Sequence, residues 1–222
     1  MSTLSGKDLA RCIDSTLFAP AALRQDIERL CAEAREQFFH GVCVNGSWVE
    51  LAYSLLEESG VQVIALVGFP LGATDADAKR YEVEIAADHG AHGIEYVMNI
   101  GRLKDGDLQY VLREMRDIVE AADERPVQII LETHLLTQEE KILACQLALD
   151  SGAQFVTTST DFHVPPVEIE DVKLLRGAVG AQFGVKAVGG IKDTLTAVAL
   201  MEAGATRIGT SLGASIIRGL AE

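Results

Sequence analysis

The chain has 222 residues, 48% of them hydrophobic, and a formal net charge of −14. That length and apolar content suit one sizeable core, a single domain spanning 1–222. The acidic balance argues against non-specific binding to nucleic acid or to an anionic membrane surface, since both attract basic proteins.

In chain order, short β-rich runs alternate with longer amphipathic stretches. The expected strands lie near 12–17, 41–45, 61–67, 93–98, 127–132, 153–158, 184–188 and 206–209. Helical patterns lie near 24–37, 47–58, 75–88, 107–121, 138–150, 168–177, 193–203 and 212–220. In the 138–150 stretch, Thr137 is a suitable N-cap with Glu140 three residues on, and Gly152 stops the helix. Strict strand–helix alternation implies a parallel sheet, and eight strands is the number of an α/β TIM barrel, (β/α)8. A doubly wound open sheet is the competing architecture, but Gly68, Gly72, Gly101, Gly189 and Gly190 do not form its dinucleotide fingerprint. The opening Met1-Ser2-Thr3-Leu4-Ser5-Gly6-Lys7-Asp8 lacks the apolar core of a signal peptide, and no apolar run reaches membrane-span length. A cytosolic protein is expected. Cys12, Cys31, Cys43 and Cys145 are widely spaced, which suits buried reduced thiols better than disulfides or a zinc site.

Barrel enzymes carry their chemistry at the C-terminal ends of strands. The residues expected there are Asp14, Cys43 and Asn45, Phe69 and Pro70, Glu95, Glu132 and His134, Thr157 to Asp161, Lys186, and Thr210 with Ser211. Carboxylates and a lysine gathered in one mouth would be costly to bury unpaired. Lys186 reads as a cationic donor to an enolate or oxyanion, as an imine-forming amine, or as a lysine that only pairs Glu95 or Asp14. Glu95 suits proton transfer or a structural ion pair, and Asp14 suits orienting Lys186 or a water. Cys43 reads more readily as a small core residue than as a nucleophile. Gly189, Gly190 and Lys192, with Gly209, Thr210 and Ser211, follow strands seven and eight, where barrels bind phosphate. Thr160 could add a hydroxyl there. Asp161 sets a carboxylate beside that expected anion, unless it turns outward or pairs Lys192. Of the five histidines, His40, His89 and His92 precede strands, and His134 and His163 alone make a weak metal site. No metal and no cofactor are expected.

Several motifs resemble those of the deoxyribose-phosphate aldolase family. They include Ile13-Asp14-Ser15-Thr16-Leu17, Val42-Cys43-Val44-Asn45, Gly68-Phe69-Pro70-Leu71-Gly72, Asn99-Ile100-Gly101 and Ile130-Leu131-Glu132-Thr133. Val185-Lys186-Ala187-Val188-Gly189-Gly190-Ile191 and Arg207-Ile208-Gly209-Thr210-Ser211 complete the set, which touches nearly every βα unit. The segment Phe155-Val156-Thr157-Thr158-Ser159-Thr160-Asp161-Phe162 resembles the family signature Phe-Val-Lys-Thr-Ser-Thr-Gly-Phe. The resemblance implies a barrel aldolase, a small-molecule carbonyl substrate and a homodimer. It also implies an imine-forming lysine on strand six, a tuning lysine on strand seven and a proton-transferring aspartate on strand four. Those positions hold Thr157, Lys186 and Glu95 here. Asp161 replaces the signature glycine, Val188 a serine or proline, and Ser15 a common histidine. Threonine has no amine, so the expectation is a divergent carbon–carbon lyase that enolises its substrate without the usual imine. A binding protein without turnover, or an aldolase whose imine has moved to Lys186, are the alternatives.

Overall fold

The computed structural model describes residues 5–220. In chain order it contains α1 (Gly6–Ala10), β1 (Ile13–Leu17), α2 (Arg24–Gln37), β2 (Gly41–Asn45), α3 (Val49–Leu56) and β3 (Gln62–Val67). Then come α4 (Ala76–Asp88), β4 (Gly93–Val97), α5 (Ile100–Lys104), α6 (Leu108–Ala121), β5 (Val127–Ile130) and α7 (Gln138–Ser151). The last elements are β6 (Phe155–Thr157), α8 (Ile169–Val179), β7 (Gly184–Val188), α9 (Thr194–Glu202), β8 (Arg207–Thr210) and α10 (Gly213–Arg218). The eight strands pair in parallel, each with the next, and β8 closes on β1. This is the TIM barrel that the alternation predicts. No helix among the described residues is long and apolar enough to cross a membrane.

Strand alternation divides the apolar residues into two clusters. Val42, Val44, Val63, Ala65, Ile94, Ile129, Val185 and Ile208 belong to the large core that joins the sheet to its helices. Strand residues on the opposite face, Cys43, Ile64, Leu66, Val97 and Ile130, form a separate cluster inside the barrel. Each helix turns an apolar stripe to the sheet; in α6 it is Val111, Met115 and Ile118, at helical spacing. Thr137 and Glu140 form the expected capping box at α7, and Gly152 ends that helix at φ 86°.

Several boundaries differ from the sequence reading. β5 stops at Ile130 because Glu132 adopts a left-handed φ of 57° and carries the chain into a 3₁₀ turn, Thr133–Leu135. β6 is only three residues, since Thr158 and Ser159 turn their hydroxyls onto the Val188 carbonyl. The short helices α1 and α5 were not anticipated; Ser5 and Asn99 cap them through side-chain oxygens. All four cysteines are unpaired, and burial pushes the Cys31 and Cys145 thiols up to about 11 and about 12.

Buried ion pairs join neighbouring helices. Lys79 of α4 lies 3.0 Å from Glu114 of α6, both side chains fully buried, and also donates to the Val97 carbonyl at 3.0 Å. Lys141 of α7 pairs Asp171 of α8. Leaving one member of such a pair uncompensated should cost about 3–5 kcal/mol, whereas breaking an exposed helix pair costs less than about 0.5 kcal/mol. Urea denaturation of Lys79→Met should therefore show a large loss of stability, and Arg80→Ala, which breaks the exposed pair with Glu84, almost none.

Candidate active site

Lys186 is the third residue of β7 and fully buried, with its stem beside Gly209 of β8. A Cβ on Gly209 would sit 3.1 Å from Lys186 Cε and 2.7 Å from Val188, so this glycine makes room for the lysine. The Lys186 ammonium lies 2.8 Å from Asp14 Oδ2 and donates to Glu95 Oε2 at 2.8 Å. Glu95 is the third residue of β4 and 2% exposed. Its carboxylate accepts two further hydrogen bonds, from Thr157 Oγ1 at 3.0 Å and from Cys43 Sγ at 3.1 Å. The sequence-predicted Asp14, Cys43, Glu95, Thr157 and Lys186 thus form one buried network in the middle of the barrel.

Burial opposes the charge on Lys186, but the Asp14 and Glu95 carboxylates outweigh it and hold the ammonium above the usual lysine range. Asp14 is the mirror case. Burial favours its neutral form, while Lys186, then His40 and Arg207, hold it well below the usual carboxylate range. The Cys43 thiol is pushed well up by burial and by Glu95, which makes it a weak donor and no nucleophile.

Asp14 is not at the mouth, where the sequence reading set it. It is the second residue of β1, in register with Gly41, the first residue of β2, so it lies toward the N-terminal end of the barrel. There its Oδ1 meets His40 Nδ1 at 2.7 Å, with Arg207 Nη1 3.8 Å away and also touching His40. Sequence reasoning missed His40 and Arg207. Their signal was position: each lies at the N-terminal end of a strand adjacent to β1.

The loops at the C-terminal end hold the other expected residues. Glu132 accepts from the Thr160 backbone N–H at 3.2 Å and from its hydroxyl at 2.6 Å, and His134 Nδ1 lies 3.5 Å from Glu132. Asn45 donates to the Phe18 carbonyl at 3.4 Å. Phe69 stands between Phe18 and Phe162, with ring centroids 5.1 and 6.1 Å away. The expected anion-binding glycines are largely occupied. Gly190 N–H donates to Asp161 Oδ1 at 2.8 Å, so Asp161, although exposed, is tied to this loop and does not pair Lys192. Cβ atoms on Gly189 and Gly190 would meet Val167 and Pro166 at 3.1 and 3.2 Å. Thr210 Oγ1 donates to the Ile191 carbonyl, while Lys192 and Ser211 are exposed. Gly209 is used by Lys186, as described. Among the described residues, no three His, Cys, Asp or Glu side chains converge at metal-binding spacing.

The Lys186 network should dominate local stability. Lys186→Met leaves two buried carboxylates uncompensated and should cost about 3–5 kcal/mol. Asp14 has a depressed folded pKa, so its contribution is present above its unfolded value of about 3.9 and fades as pH falls through the folded value. Lys186 has a raised folded pKa, so its contribution is present below about 10.4 and fades only above that. Without Lys186 the two buried carboxylates take up protons at higher pH than in the wild type. The stability gap between wild type and Lys186→Met, from urea titrations, should therefore be widest at about pH 9 and narrow steadily as pH falls into the acidic range.

Comparison with known proteins agrees with this architecture. No family model matches the chain. Deoxyribose-phosphate aldolase 1 of Bacillus licheniformis is 49% identical over 215 residues, covering 96% of both chains. The deoxyribose-phosphate aldolase of Bdellovibrio bacteriovorus is 49% identical over 211 residues, covering 95% of this chain and 96% of its own. Among solved structures, the tetrameric deoxyribose phosphate aldolase of Aeropyrum pernix superposes with a TM-score of 0.91 at 30% identity, covering 98% of this chain and 93% of that one. With identity near one half sustained along the whole barrel, this chain belongs to the deoxyribose-phosphate aldolase family.

Proposed function

We propose that the protein acts on a small aldehyde or ketone by moving a proton at the carbon beside the carbonyl, without a covalent imine. The observation that carries this reading is the Lys186 ammonium bridging Asp14 and Glu95 at 2.8 Å each. Imine formation needs a neutral amine. Two adjacent carboxylates hold this one charged, and Thr157 supplies no amine in its place. An imine moved to Lys186 is therefore disfavoured.

On this reading Glu95 removes the α-proton and the electron pair of that C–H bond moves onto the carbonyl oxygen as an enolate. Lys186 donates a hydrogen bond to that oxygen, and Asp14 keeps the ammonium charged and aimed. The enolate either regains the proton from Glu95 or attacks a second carbonyl carbon, forming the new carbon–carbon bond; the resulting alkoxide then takes the proton. The reverse sequence is retro-aldol cleavage. Because Lys186 and Thr157 are fully buried, side chains packed on the inner cluster, such as Phe18 and Phe69, must move to admit substrate. A cytosolic setting belongs to the same reading.

That closure also favours a second reading, a binding protein without turnover, because every donor of the network is already engaged inside the protein. Incubation with carbonyl compounds in heavy water separates the two. Enzyme-dependent α-proton exchange should appear by NMR and fall by about a hundredfold or more in Glu95→Gln, which keeps the side-chain shape. Borohydride reduction followed by mass spectrometry should label no lysine. A lysine adduct overturns the non-covalent mechanism, and no exchange with any carbonyl compound favours the binding reading.

The bond from Gly190 to Asp161 further supports a substrate without phosphate at that end. Asp161 holds φ 55°, a conformation better suited to glycine, and its carboxylate occupies an amide that an anion would need. Asp161→Gly should tighten inorganic phosphate binding by about fivefold or more, roughly 1 kcal/mol, in calorimetric titration at low salt. Unchanged affinity would remove the ground for an unphosphorylated substrate.

A further inference from the structure

A second cavity, of about 380 Å³, opens at the opposite, N-terminal end of the barrel. In barrel enzymes that end generally serves stability rather than chemistry. Its lining is unusual for this chain. Asp and Glu outnumber Lys and Arg by 33 to 19 overall, yet the cavity wall carries Arg11, Arg207, His40 and His92 and no carboxylate. Asp14, which pairs the lining His40, is fully buried and is engaged by Lys186.

Several polar groups on this wall remain unused: donors on His92, Arg207 and Arg11, and an acceptor on Gln128. Val63 N–H donates to His92 Nδ1 at 3.0 Å, so the neutral ring carries its proton on Nε2, which has no protein partner. The Arg207 guanidinium lies over the Phe155 ring at 4.8 Å, which fixes its plane; its Nη1 turns to His40 and Asp14, while Nε and Nη2 have no partner among the described residues and can meet a planar anion. Arg11 lies exposed at the cavity and forms no ion pair with any described residue. Gln128 is 2% exposed, lines the cavity, and its Oε1 has no hydrogen-bond partner. Phe38, Phe155 and Pro126 give the remaining wall an apolar character. A pocket of this volume suits a small ligand, with the apolar surface holding its body and a few placed donors fixing its charged end.

We propose that this N-terminal cavity is a binding site for a small aromatic anion, a ring bearing a carboxylate or phosphate group, held by Arg207, Arg11 and His92. The anionic group faces the two guanidiniums and the ring lies against Phe38 and Phe155. The site is separate from the Lys186 network, although His40 and Asp14 connect the two.

Phenyl phosphate and benzoate are the probes, titrated into the full-length protein and followed by proton–nitrogen correlation spectra. Phenol and inorganic phosphate serve as the ring-only and charge-only controls. At least one aromatic anion should saturate with a Kd of about 1 mM or tighter. Shifts should centre on Gly60, Gly93 and Gln128. Phenol and inorganic phosphate should each bind at least about tenfold more weakly than that probe. Arg207→Met should weaken binding by about tenfold or more; should that variant fail to fold, Arg11→Met, at an exposed position, gives the same test with a smaller expected loss of about threefold. No saturation by about 10 mM overturns the proposal. Shifts confined to Gly189, Gly190 and Gly209, affinity unaltered by the variant tested, or phenol binding as tightly as the anions, would each overturn it as well.

Discussion

An ammonium with no access to water, shared between two carboxylates, is the constraint around which the interior is arranged. Removing Lys186 from water costs several kcal/mol unless its charge is met at close range, and the same holds for Asp14 and Glu95. Neighbouring positions give way to this contact. Gly41 has no side chain where a Cβ would come within 3.2 Å of Asp14, and Gly209 has none where it would strike the lysine stem. Arg207 supplies a further positive charge beside Asp14, so that two cations and two carboxylates balance inside the barrel.

The same contact explains why Thr157 and Glu95 belong together. Glutamate reaches about one methylene further than the aspartate that the family resemblance leads one to expect. Its Oε1 accepts from Thr157, and its Oε2 accepts from both Lys186 and Cys43. A short hydroxyl on strand six leaves room for the longer acid, and the longer acid gives that hydroxyl a partner. On the proposed reading, a fixed ion pair then stands in for a covalent electron sink. Such a pair can stabilise negative charge on oxygen without rearranging, but it cannot withdraw electrons through a bond as an iminium does.

The barrel was legible because its signal is collective: eight alternations of period-two and helical patterning, each bounded by turns or caps, leave few other parallel arrangements. The central network was legible too, since Glu95, Thr157 and Lys186 were singled out from motifs on three strands. Depth within the barrel was not. A sequence shows that Asp14 lies on a strand, but its height depends on the stagger between strands, and register against Gly41 and Gly209 sets it low. Asp161 was recognised as a charge near the expected anion site, yet its Gly190 partner depends on the left-handed turn, which side-chain identity alone did not reveal. His40 and Arg207 were given no role because attention to the C-terminal ends of strands directs it away from the other end.

The two ends of the barrel differ in how completely their polar groups are used. At the C-terminal end, Glu132 is bound by Thr160, Gly190 by Asp161, and the Val188 carbonyl by Thr158 and Ser159. Phe69 packs there with Phe18 and Phe162. A ligand arriving there must break internal hydrogen bonds or displace rings before gaining contacts, so part of its binding free energy is offset by that opening. At the N-terminal end, by contrast, His92, Arg11 and Gln128 each keep polar capacity without a protein partner, beside an open volume. A ligand there displaces water and meets donors already in place. Asp14 touches both regions, one oxygen on His40 and the other on Lys186, so a change in charge at the open end is felt at the lysine through a single carboxylate.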